Sequence, residues 1–149
     1  MKSKRNIPLF VLFLLMSIFA MVMIFLFSYQ GAEISAGVSS SVYDLFIRLT
    51  GFDFISHGAF RKIAHFSEFM FFGFSVIGTL YFWLGKLKFP HSFIFCVLYS
   101  VSDEIHQYFV PGRACRIFDV FVDSCGSLFG ILIFILLIFV INKLKRRCD

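Results

Sequence analysis

The 149-residue chain is 59% hydrophobic, 20% aromatic and 15% charged, with a formal net charge of +5 and a mean hydropathy of +0.87. Soluble domains carry about 25% charged residues, and a fold in water could not hide this much apolar surface, so a single membrane domain over residues 1–149 is expected. The lysines and arginines sit at the ends of apolar runs, which makes the positive charge an orientation signal facing lipid headgroups rather than a nucleic-acid surface.

The first apolar run, residues 7–27, follows Lys2, Lys4 and Arg5 and contains Ser17 as its one polar side chain. A secretory signal has an apolar stretch of about 7–15 residues, whereas about 20 are needed to span a hydrocarbon core. The run therefore reads as an uncleaved first helix. Residues 28–60 form the one long polar stretch, with Gly31, Gly37, Gly51 and the serines Ser39, Ser40 and Ser41. Within it Val42, Leu45, Phe46 and Leu49 recur at helical spacing, which predicts a short interfacial helix between spans one and two, with a loop as the alternative.

The second, third and fourth spans are predicted at residues 63–84, 92–109 and 118–141. Two short segments read as turns between them. One carries Lys86, Lys88 and Pro90, the other Pro111, Gly112, Arg113 and Arg116. The expected fold is an all-α membrane protein, a bundle of four transmembrane helices.

Basic residues in short loops stay on the cytoplasmic side. With four spans, one side receives nine: Lys2, Lys4 and Arg5, then Lys86 and Lys88, then Lys143, Lys145, Arg146 and Arg147. The other receives five, Arg48, Arg61, Lys62, Arg113 and Arg116. Both termini are expected inside.

Ionisable groups at membrane depth are costly and mark function. Here they gather at the outer ends of three spans: His65 and Glu68 in the second, Asp103, Glu104, His106 and Gln107 in the third, Asp119 and Asp123 in the fourth. Residues three, four or seven apart share a helix face. Arg61, His65, Glu68, Ser75 and Thr79 share one, interrupted by Phe72. Asp103 and Gln107 share another, with Tyr99 and Cys96 below them. Asp119 and Asp123 lie on the face of Gly126 and Gly130, a GxxxG pattern that permits close helix approach, so the two acids should point into the bundle.

The residues Lys62-Ile-Ala-His65-Phe-Ser-Glu68, then Asp103-Glu104-Ile-His106-Gln107, Pro111-Gly112-Arg113 and Asp119 with Gly126 and Gly130 resemble the VanZ family of membrane proteins. Ser28-Tyr29-Gln30-Gly31 resembles the family's serine and glutamine motif. The resemblance covers about residues 28–130. It implies a cell-envelope protein linked to glycopeptide (teicoplanin) resistance, in a family whose biochemical activity is not established. The family often has Asn where this chain has Asp123, so the position carries an added potential charge.

These readings nominate His65, Glu68, Asp103 and Glu104 as proton-moving residues, and Gln30, Lys62, Gln107, Arg113, Asp119 and Asp123 as substrate-binding ones. A structural network among the same acids and Lys62, Arg113 or Arg116 is the competing reading. No metal is expected, because the set lacks a repeated Glu-x-x-His and nearby cations would favour a phosphate or carboxylate. No cofactor is implied. His57, His91 and His106 read as loop or interfacial residues, and Tyr29, Tyr99, Tyr108 and Trp83 as membrane-belt aromatics. Cys96, Cys115, Cys125 and Cys148 show neither a CxxC nor a metal spacing, and a Cys115–Cys125 disulfide stays open.

Three function classes follow. The first is an enzyme or binder acting at the outer face of a bacterial cytoplasmic membrane on an anionic, lipid-linked cell-wall precursor. The second is a non-catalytic envelope protein whose polar cluster organises the helices or excludes a drug from its target. A small transporter is third, since carriers place their sites near the midplane. Membrane lipid is the expected surrounding partner, and the oligomeric state is left open.

Overall fold

The computed structural model describes residues 6–29, 45, 47–49, 56–111 and 116–148. Among them there is no strand. Four long helices account for nearly all of them: α1 (Ile7–Tyr29), α2 (His57–Leu84), α3 (Phe89–Tyr108) and α4 (Ile117–Cys148). Leu45 and residues 47–49 are also helical, and Leu45 and Leu49 are exposed. Val42 and Phe46 of the expected interfacial helix lie outside the described residues.

Local chemistry sets the helix ends. The Asn6 side chain accepts a hydrogen bond from the Leu9 N–H at 3.2 Å, which caps α1. Ser56 does the same for α2 through the Ala59 N–H at 3.3 Å. Gly85 ends α2 with φ 65°, a left-handed conformation suited to glycine, and its N–H donates to the Tyr81 carbonyl at 2.9 Å. The predicted turn carrying Lys86, Lys88 and Pro90 is shorter than expected, because α3 already starts at Phe89. Proline is tolerated there, since the first helical turn needs no internal donor.

Side-chain contacts fix the directions. Phe13 packs on Phe74 and Phe82, and Phe10 on Trp83, so α1 and α2 are antiparallel. Tyr99 reaches Met21 while Asp103 and Gln107 reach Ser28, so α1 and α3 run parallel. Built as alanine, Gly126 would press on the Phe66 backbone, and Gly130 on Met70 and Phe74, so α2 and α4 also run parallel. The order is up, down, up, down. α2 lies at the centre and packs on all three other helices.

Two apolar clusters hold the bundle. One joins Ile77 and Tyr81 of α2 to Ile131, Phe134 and Ile138 of α4, with Phe13 of α1 against it. The other joins Ala20 and Ile24 to Phe69, Phe72 and Cys96. α1, Lys62–Leu84 of α2 and Ile117–Arg147 of α4 are long and apolar enough to cross a membrane. At 1.5 Å per residue, the 23 residues of α1 extend about 35 Å, enough for a hydrocarbon core of about 30 Å. The chain is a multi-pass helical membrane protein.

Candidate functional site

The polar residues collect at the end of the bundle where α2 and α4 begin and α3 ends, in two adjoining layers. The first is a clamp between α1 and α3. Ser28, fully buried, donates to Asp103 Oδ2 at 2.8 Å. Gln107 Nε2 donates to the same oxygen at 2.8 Å and to Ser28 Oγ at 3.1 Å. Two donors meet one buried carboxyl oxygen and also bond each other, so this triad fixes the far end of α1. Beside it His106 stacks on Phe25, ring centroids 4.6 Å apart, and lies 6.2 Å from the Tyr29 ring. His106 thus belongs to the α1–α3 seam.

The second layer is a narrow pocket of about 30 Å³ among α2, α3 and α4. Its walls include Lys62 and His65 of α2, Glu104 and Gln107 of α3, and Asp119 and Asp123 of α4, with Arg116 just before α4. Glu104 and Asp123 are each only 2% exposed. Asp123 Oδ2 accepts from the Ser100 hydroxyl at 3.1 Å. Glu104 Oε2 accepts from the Arg116 backbone N–H at 2.8 Å, so a carboxylate of α3 meets the positive end of the α4 dipole. Lys62 Nζ sits 4.4 Å from the centre of the Phe118 ring and ties the starts of α2 and α4 together. His65 Nδ1 and Glu68 Oε2 are 3.9 Å apart and half-buried, within ion-pair range but longer than a hydrogen bond.

Six residues nominated from sequence therefore line one pocket: Lys62, His65, Glu104, Gln107, Asp119 and Asp123. Glu68 adjoins it through His65. Asp103 is bound into the α1 clamp and reaches the pocket through Gln107, which belongs to both layers. Gln30 and Arg113 lie outside the described residues.

Other residues turn out differently from their sequence reading. Arg116, a candidate ion-pair partner in the sequence, lines the pocket and bonds Glu104 through its backbone N–H. Ser100 holds Asp123, a role unnoticed in the sequence. Asp103 and Ser28 are 75 positions apart, and no periodic pattern joins them. Tyr99 is not a belt aromatic: its hydroxyl donates to the Met21 carbonyl at 2.7 Å and its ring packs on Phe72 at 5.1 Å. His91 lies in the first turn of α3, at the helix end. Cys96 is buried and Cys125 half-buried, both as free thiols, against a Cys115–Cys125 disulfide; Cys115 itself lies outside the described residues.

The pocket mixes two cations with several carboxylates and an imidazole. One acceptor stands out chemically: Asp119 Oδ1 is buried without a hydrogen-bond partner. A buried acceptor in that state gains from a donor brought by a ligand. Lys62 and Arg116 can hold a phosphate or carboxylate, while His65 with Glu68 is a pairing suited to proton transfer.

Fold and site together define a small helical membrane protein with a polar pocket at one end of its bundle. The VanZ/LLP1 family model matches residues 13–139, and the chain belongs to that family. No curated protein and no solved structure matches it.

Proposed function

We propose that this protein crosses the bacterial cytoplasmic membrane four times with both termini inside, and that its pocket opens outward to bind the headgroup of an anionic, lipid-linked cell-wall precursor. The observation that carries this reading is the unsatisfied Asp119 Oδ1 in a pocket that also holds Lys62 and Arg116. An acceptor beside two cations suits a headgroup bearing both an anionic group and hydroxyl or amide donors. The nine-to-five division of basic residues favours the inside placement of both ends. The parallel course of α2 and α4 favours a returning α3 between them. The family's link to teicoplanin resistance agrees with an envelope target. On such a headgroup His65, Glu68 and Glu104 would move protons.

A second reading has its own observation. The 2.8 Å bond from the Arg116 N–H to Glu104 caps α4, so the cluster would organise helices without turnover. Glu104→Gln separates the two, because its amide oxygen still accepts that N–H while the acid is gone. The readouts are the pool of lipid-linked precursor, teicoplanin susceptibility and the amount of inserted protein. Loss of the phenotype with protein level unchanged supports chemistry or charge recognition at Glu104. Wild-type phenotype in both Glu104→Gln and Asp119→Asn would overturn the pocket as the working site.

A further inference from the structure

A second cavity lies at the opposite end of the molecule, within the membrane-spanning depth. It is a lateral groove of about 370 Å³ between the first three helices. Leu14, Ile18 and Met21 of α1, Val76 and Leu80 of α2 and Phe95 of α3 form its walls. Along α1 it lies between the Phe13 aromatic cluster on one side and, on the other, the Ala20 and Ile24 contacts that lead to the Ser28–Asp103–Gln107 clamp.

Its chemistry selects hydrocarbon. The two hydroxyls that reach the groove, Ser17 and Thr79, lie 3.1 Å apart and each is within hydrogen-bond reach of a carbonyl of its own helix, so both protons have acceptors already. A polar ligand would find no unsatisfied group there, and in the bilayer a chain of lipid is the medium at hand. The charge at the groove's end then names the lipid. His91 closes the groove, and Lys86 and Lys88 stand in the turn just before α3. Basic residues at the membrane surface attract anionic headgroups.

We infer that this groove is a binding site for one acyl chain of an anionic membrane lipid, seated in the leaflet at the Lys86 and Lys88 end with its phosphate against those lysines and His91. The site is separate from the polar pocket, and the inference does not rest on the function proposed for that pocket.

The test is native mass spectrometry of the full-length protein purified in detergent and offered equal amounts of phosphatidylglycerol and phosphatidylcholine. One retained lipid per chain is expected, with phosphatidylglycerol favoured at least about fivefold. Ile18 is half-exposed, so Ile18→Trp can fill the groove without entering the apolar clusters, and retention should fall to background. Leu98→Trp, on the exposed face of α3 outside the groove, carries the same added ring and should retain lipid like wild type. Lys86→Gln with Lys88→Gln should keep one lipid and lose the headgroup preference. Undiminished retention in Ile18→Trp, equal loss in Leu98→Trp, or no headgroup preference in the wild type would each overturn the assignment.

Discussion

Replacing Gly130 by alanine tests the packing that sets the whole bundle. The added methyl would stand 2.8 Å from the Met70 carbonyl carbon and 2.9 Å from the Phe74 nitrogen, with the Met70 oxygen closer still, where ordinary contact begins at 3.4 Å. These obstacles are backbone, so no rotamer change relieves them, and α2 and α4 must part by about 0.6 Å or more. A gap of that size forfeits roughly a quarter to a half of the dispersion attraction at neighbouring contacts. Among these are Gly126 on Phe66 and Gly73 on Ser127. Overpacking of this kind costs about 1–3 kcal/mol. Intrinsic helix propensity acts in the other direction, favouring alanine by about 0.8–1.0 kcal/mol, so the two contributions differ in sign and the experiment discriminates. We expect Gly130→Ala to lower the unfolding free energy by up to about 2 kcal/mol in mixed micelles titrated with denaturing detergent, with insertion unchanged. A variant more stable than wild type would refute the backbone contact between α2 and α4.

Ser28→Ala removes a buried donor to Asp103 and a buried acceptor for Gln107 and should cost about 1–3 kcal/mol. The loss would be read as faster proteolysis near the end of α1; unchanged protection would remove the clamp. Ser17→Ala should cost much less, about 0.6 kcal/mol, because Thr79 keeps its bond to the Ser75 carbonyl, and a drop of several kcal/mol would contradict this. Cys115 should react in intact cells with an impermeant thiol reagent while Cys148 does not. The reverse pattern would invert the proposed orientation.

How far the sequence carried the structure depends on the kind of contact. The apolar runs located α1, α2 and α4 to within a few residues at most ends, although α2 begins six residues before the predicted span and α4 continues seven beyond it, since a helix need not stop where the hydrocarbon does. Periodicity placed Asp103 with Gln107, and Asp123 with Gly126 and Gly130, on inward faces, and all five are buried. It could not say which helix receives the glycines. That partner, α2, follows from three-dimensional packing around Phe66 and Met70. The hydroxyl partners were equally hidden: Ser28 with Asp103 and Ser100 with Asp123 are pairs 75 and 23 positions apart, and serine is common enough in helices that nothing marks these two.

α3 shows where composition and geometry diverge. Its run holds Ser92, Ser100, Asp103, Glu104 and Gln107, which lower its apolarity below that of the other three helices, yet all five are buried inside the bundle. The face it turns outward is Ile94, Leu98, Val101 and Ile105, each between 39% and 62% exposed. A composition average counts both faces alike, whereas lipid meets only the second. Its 20 residues rise about 30 Å, the thickness of a hydrocarbon core. α2 and α4 run parallel and α3 runs back between them, a course that agrees with the four crossings proposed above. Four of the polar groups that disguise α3 in the sequence, Ser100, Asp103, Glu104 and Gln107, are thus the ones that build the clamp and the pocket, while Ser92 bonds the Lys88 carbonyl. These four face protein, where partners on α1, α4 and the segment before α4 satisfy them.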